Sequence, residues 1–159
     1  MSAAERSHIA DLQLAPEGEQ AITWAARHSP VLDGHVRQIL ADGALAGRRI
    51  AVVVHLEAKT AFLATVLADA GADVVVAGSN PFSTRDEVAA ALVARGIEVH
   101  STRDSGYEAW EKDLLAVADA GPEFIIDDGA GVGHGQQILL PGLVPAVAGR
   151  VDLDAPRHQ

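Results

Sequence analysis

The sequence predicts an α/β fold: a Rossmann-like three-layer sandwich, with a parallel sheet of at least four strands, helices on both faces, and N-terminal helices ahead of it. Three observations predict it. Short runs of Val, Ile and Ala, such as RIAVVVH at 49–55 and ADVVVAG at 72–78, are continuously apolar, as strands buried on both faces require. Segments with helical spacing alternate with these runs. Gly71 and Gly96 stand where two of those segments stop.

Taken in order, residues 1–15 have a mixed composition and read as a partly disordered N-terminal tail. Pro16 suits the first turn of a helix over 16–28, in which Ala21, Ile22, Ala25 and Ala26 recur at helical spacing. Residues 30–42 place Val31, His35, Val36, Ile39 and Leu40 on one face, with Gly43 and Gly47 beyond. The first strand spans 49–55. A helix over 59–70 carries Phe62, Leu63, Val66 and Leu67, and the second strand spans 72–78. A helix over 84–95 has Thr84 as its expected N-cap, with Glu87 three residues on completing a capping box. The third strand, 97–101, is more polar and belongs nearer an edge. A helix over 107–120 presents Trp110, Leu114, Leu115 and Val117, and EFIID at 123–127 is the fourth strand. A glycine-rich stretch, GAGVGHG, and a Pro-punctuated segment follow. The expected organisation is one α/β domain over 16–145 between the N-terminal tail and a C-terminal tail, 146–159.

Composition limits the function. The 159 residues are 48% hydrophobic, enough for one domain to bury about 70% of the surface its unfolded chain exposes. The net charge of −10 argues against nucleic acid and anionic membranes as partners. With no cysteine, disulfides and thiolate chemistry are excluded. No basic-then-apolar leader and no run of ~18 apolar residues is present, so a cytoplasmic protein is expected.

In parallel α/β sheets, ligands sit outside the carboxyl ends of the strands, where strand order reverses. The polar residues following each strand are therefore the candidate site. His55, Glu57 and Lys59 follow the first strand. Ser79, Asn80, Ser83, Thr84 and Asp86 follow the second, and Asp127 and Asp128 the fourth. An ionised carboxylate only accepts hydrogen bonds and suits the paired hydroxyls of a ribose. An imidazole handles protons near neutral pH. Each residue also has a structural alternative. Ser83, Thr84 and Asp86 can cap a helix, Asn80-Pro81 can open a turn, and His55 can be a satisfied core histidine. Glu57 and Lys59 can lie on a first helical turn. Asp127-Asp128 is the strongest single signal, because adjacent acids after FII are costly unless solvated or partnered. No metal-ligand spacing links His55, Glu57, Asp127 and Asp128, so no metal is expected. The glycine run follows the last strand with the wrong spacing for a dinucleotide cradle.

The stretch VVHLEAKTAFLATVLADAGADVVVAGSNPFSTRDEVAAALVARGIEV, followed by FIIDDG, resembles the N-terminal part of the S-adenosylhomocysteine hydrolase family, and the likeness runs over about residues 9–145. That family uses tightly bound NAD to oxidise the ribose 3′ position, lose a proton at C4′ and eliminate homocysteine. The resemblance implies that His55 assists proton chemistry, that Asp128 lies by the ribose, and that Asn80–Thr84 borders a nucleoside pocket. It also implies that NAD is held by a domain beyond these residues, so no cofactor is expected on this stretch. The family's Asp-Asp-Gly-Gly-Asp becomes Asp-Asp-Gly-Ala-Gly here, losing its last acid, and two positions after the first strand also depart from the pattern. Glu57 replaces a Thr, and Lys59 replaces a Glu or Gln that reads the adenine edge, turning an acceptor into a donor-only cation.

The resulting expectation is a stand-alone substrate-type domain with an altered ligand site. It would carry out NAD-independent acid–base catalysis of lyase, isomerase or cyclase type on a nucleoside-related or specialised metabolite. His55, Glu57, Lys59 and Asp128 would be catalytic, and Asn80, Ser83, Thr84, Asp86 and Asp127 ligand-binding. A Glu57–Lys59 ion pair would tune both groups. The alternative is a non-catalytic adenosyl-metabolite-binding module, or the substrate half of a split hydrolase whose NAD domain is a separate subunit. The apolar segment 138–147 needs cover, either from a second copy in a homodimer, which is the expectation, or by folding back onto the sheet.

Overall fold

The computed structural model describes residues 1–41 and 43–129. The expected C-terminal tail, most of the glycine-rich run and the apolar segment 138–147 lie outside the described residues.

Four parallel strands form one sheet in the order β3-β2-β1-β4: β1 (Arg49–Val54), β2 (Asp73–Gly78), β3 (Glu98–His100) and β4 (Phe124–Asp127). β3 lies at an edge, as its polar alternation predicts. The chain builds outward from β1 through β2 to β3, then returns to the other side of β1. The crossovers are α4 (Ala58–Asp69), α5 (Asp86–Ala94) and α6 (Tyr107–Asp119). A right-handed crossover that reverses direction along the sheet must pass over the opposite face. α4 and α5, joined by α2 (Ala15–Arg27), therefore cover the face of Val52, Val54, Val74 and Val76. α6 covers the face of Ala51, Val53, Val75 and Ala77 with Leu114 and Val117. These small side chains let the helices sit close to the sheet.

α2 packs on α5 through Gly18, where an added Cβ would stand 1.8 Å from the Glu87 carbonyl oxygen. The stretch expected as a helix over 30–42 is helical over 31–40 but differs from the expected stripe. Val31–Val36 winds as a π-helix before α3 (Arg37–Leu40). The wider turn puts Leu32, Val36 and Leu40 against the core, leaving Val31 68% and Ile39 63% exposed.

The first residues, expected as a tail, form α1 (Ala3–Arg6) and a 3-10 turn at Leu12–Leu14. An unpaired strand edge explains why they settle there. His8 N–H donates to Val99 O at 2.9 Å, and Ser101 N–H donates to His8 O at 2.9 Å, which closes the outer edge of β3. His8 Nδ1 also lies 2.6 Å from Oδ1 of the buried Asp113.

Beneath this segment Glu98 is buried, with Arg6 Nε at 2.7 Å, Arg49 Nη2 at 3.3 Å and His100 Nε2 at 3.0 Å from its carboxylate. Burial pushes this carboxyl up, but the hydrogen bonds from Arg6 and His100 outweigh it and hold the group below the usual range. The Arg95 guanidinium likewise holds Glu19 low through a two-pronged contact. A depressed folded-state value stabilises the fold above the unfolded value, about 4.3, and that stabilisation is lost as pH falls further. Thermal melts of Glu98→Gln should therefore lie below wild type at pH 7, and the gap should narrow as pH falls from 7 toward 3. A constant gap across that range would contradict the assignment.

Candidate functional site

The reversal of strand order falls between β1 and β4, and residues from three strand ends converge there. β1 runs out at Val54, so His55 is the first residue past the sheet. Its backbone N–H donates to Asp128 Oδ2 at 3.2 Å, although 73 residues separate the two. Asp128 N–H donates to Val53 O at 3.3 Å, which continues the β1–β4 ladder one step past β4. The imidazole Nδ1 stands 3.7 Å from Asp128 Oδ2 and 2.5 Å from Ser79 Oγ. The His55 and Asp128 side chains remain 61% and 43% exposed, so both are open to solvent.

Behind them the β2 end is locked. Ser79 N–H donates to Val54 O at 2.9 Å, Gly78 N–H to Ser101 Oγ at 3.1 Å, and Trp110 Nε1–H to Gly78 O at 2.8 Å. Gly78 is needed there: a Cβ would approach Ser101 Oγ and Thr84 Oγ1 to 2.8 Å. Thr84 is not the helix cap that its sequence position predicts. Arg85 precedes the first turn of α5, while the buried Thr84 hydroxyl bonds Ser101 Oγ at 2.5 Å. Glu87 bonds Arg85 Nε at 2.7 Å in place of a capping box.

The other expected residues divide by role. Asn80 Oδ1 accepts from Phe82 N–H at 3.0 Å, and Ser83 Oγ–H donates to Asn80 O at 3.3 Å, so this stretch forms a side-chain-closed turn on the site edge. Asp86 Oδ1 accepts from Arg103 N–H at 2.9 Å and ties α5 to the loop after β3. Asp127 Oδ1 accepts from Gly129 N–H at 2.8 Å and shapes the turn after β4. Glu57 N-caps α4, and Thr60 Oγ1 accepts its backbone N–H at 3.0 Å while donating to His55 O at 2.5 Å. Lys59 is exposed on that first turn. The expected Glu57–Lys59 ion pair is not formed: the two side chains sit on one helix start without bonding each other. Among the described residues, no group of three His, Asp or Glu side chains is placed to hold a metal. No described helix is long and apolar enough to cross a membrane.

Two features were not read from the sequence. Phe82, Tyr107 and Trp110 form a chain of edge-on rings, with centroids 5.9 and 6.2 Å apart, beside the β2 end. Phe82 and Tyr107 are exposed. Isolated aromatics 25 residues apart give no periodic signal, and only the packing of α6 joins them. A cavity of about 240 Å³ also opens beside Glu57, lined by Ala21, Trp24, Ala58, Arg85 and Val88.

The family model for S-adenosyl-L-homocysteine hydrolase matches residues 6–139. The chain belongs to the S-adenosyl-L-homocysteine hydrolase family. It is 44% identical over 124 residues to the S-inosyl-L-homocysteine hydrolase of Methanococcus maripaludis, covering 78% of this chain and 30% of that protein. It is 43% identical over 112 residues to the adenosylhomocysteinase of Thermotoga maritima, covering 70% of this chain and 28% of that protein. With the S-inosyl-L-homocysteine hydrolase of Methanopyrus kandleri the identity is 38% over 144 residues, 91% of this chain and 34% of the relative. The chain thus spans about three-tenths of the length of these hydrolases. The match contains every strand and helix that builds the switch-point edge.

Proposed function

We propose that this chain carries the nucleoside-binding face of an S-nucleosyl-L-homocysteine hydrolase and that its purine is a 6-oxopurine. The observation that carries the reading is the convergence of His55, Ser79 and Asp128 at the switch point, with Glu57 and Lys59 on the adjoining helix start. Asp128, an acceptor-only carboxylate, suits ribose hydroxyls, and His55 beside it suits proton handling at the sugar.

The base follows from donor and acceptor accounting. Adenine offers a donor amino group at C6 and an acceptor at N1. Hypoxanthine offers the reverse, an acceptor oxygen and a donor N1–H. The pair alone complements either base, so position decides: Lys59 stands where the resemblance puts the residue that reads the 6-amino group of adenine, and a donor-only cation there suits the 6-oxo group of hypoxanthine, leaving Glu57 to accept from N1–H. The relatives named as S-inosyl-L-homocysteine hydrolases support this reading.

NAD, which the family uses to oxidise the ribose, finds no cradle among the described residues. The β1–α4 turn carries no glycine, and the β2 end is closed by Ser101, Thr84 and Trp110. The substrate half of a hydrolase therefore fits these residues better than NAD-independent lyase or isomerase catalysis.

Titration of the protein with inosine and adenosine, followed by amide chemical shifts, tests the reading. Inosine should bind about tenfold more tightly, the worth of one matched polar contact of ~1.4 kcal/mol. Lys59→Glu should reverse the order. Equal affinity for both nucleosides would overturn the 6-oxopurine assignment, and binding of neither would overturn the nucleoside reading.

A further inference from the structure

The geometry points to Ser79 as a positioning residue that holds the His55 imidazole as its Nε2–H tautomer, so that His55 meets its ligand as a hydrogen-bond donor. Neutral imidazole carries one proton, and the partner of one nitrogen decides which nitrogen bears it. Here Nδ1 has two neighbours that pull in opposite directions. Ser79 Oγ at 2.5 Å can donate into Nδ1, which places the proton on Nε2. Asp128 Oδ2 at 3.7 Å would favour a proton on Nδ1 itself.

Donor accounting decides between them. Ser79 is 5% exposed, and His55 Nδ1 is its side chain's hydrogen-bond partner among the described residues. If the hydroxyl accepted from Nδ1–H, its own proton would be left in a buried position without an acceptor. That costs more than a half-exposed, solvent-screened carboxylate beyond hydrogen-bond distance gains. The hydroxyl is also unable to drift away. Val54 O holds the Ser79 N–H, while Ser101 and Trp110 hold both backbone groups of Gly78. Thr84 braces Ser101 in turn. The buried polar residues behind the site therefore act together to aim one hydroxyl at one ring nitrogen.

The functional consequence rests on the nucleoside reading above: the ligand atom facing Nε2 must be an acceptor, such as a ribose oxygen. The tautomer itself does not depend on that reading. It is read from long-range proton–nitrogen spectra of the histidine-labelled protein without ligand, at a pH where His55 is neutral. Wild type should show His55 as Nε2–H, with the other form below about a tenth. In Ser79→Ala only Asp128 remains beside Nδ1, and the Nδ1–H form should rise several-fold. Ser79→Thr keeps the hydroxyl and should restore the wild-type pattern. A wild-type Nδ1–H pattern, or an unchanged pattern in folded Ser79→Ala, would overturn the assignment. If Ser79→Ala does not fold, the wild-type pattern and that of Ser79→Thr decide it. Inosine titration of the same samples separates the two ideas, because the tautomer can stand where nucleoside binding fails.

Discussion

Gly18→Ala should lower the melting temperature by about 10 °C. An added methyl would stand 1.8 Å from the Glu87 carbonyl oxygen, 2.4 Å from its carbon and 2.9 Å from the Ala91 Cβ. Two of the three obstacles are backbone, so no rotamer change relieves the clash. α2 and α5 must separate along a contact that also buries Ile22 and Ala25. Overpacking of this kind costs about 3 kcal/mol, and a domain of this size loses roughly 3 °C per kcal/mol. Thermal denaturation followed by circular dichroism measures it. A shift under about 3 °C would mean that the helices meet elsewhere.

His55→Ala and Asp128→Ala should each weaken nucleoside binding by an order of magnitude or more while shifting the melting temperature by only a few degrees. A hydrogen bond involving a charged group contributes about 1.5–3 kcal/mol. Both side chains reach solvent, and neither fills the core, so the fold loses little. Calorimetric titration with inosine, alongside thermal melts, separates binding from stability. If both variants unfold instead, the two residues hold β1 to β4 and the site reading falls.

The fold was legible because its signal is repeated. Four strand-like runs alternate with three helical stripes, two of them closed by glycine, and each repetition supports the others. The strand-end rule then placed His55 and Asp128 together although they are 73 residues apart. Thr84 was misread because local capping chemistry and tertiary bonding use the same hydroxyl. Ser101 is visible as its partner only once β3 lies beside β2. Ser79 is visible as a strand-end residue, but its bond to His55 depends on the register Val54↔Gly78, which sequence does not specify. The N-terminal segment was misjudged for a related reason. Its order comes from the β3 edge and Glu98, not from its own composition. His8 and Asp113, 105 residues apart, pair only through that edge.

The placement of β4 has a consequence for binding energetics. Among the described residues β4 pairs only with β1, and Phe124 and Ile126 remain partly open to solvent. The residue just past its end, Asp128, nevertheless supplies the carboxylate that faces His55. A molecule that grips both side chains would act as a stitch across the seam, and its binding free energy would add directly to the cost of peeling that strand away. Occupancy and local cohesion would then be two readings of a single equilibrium.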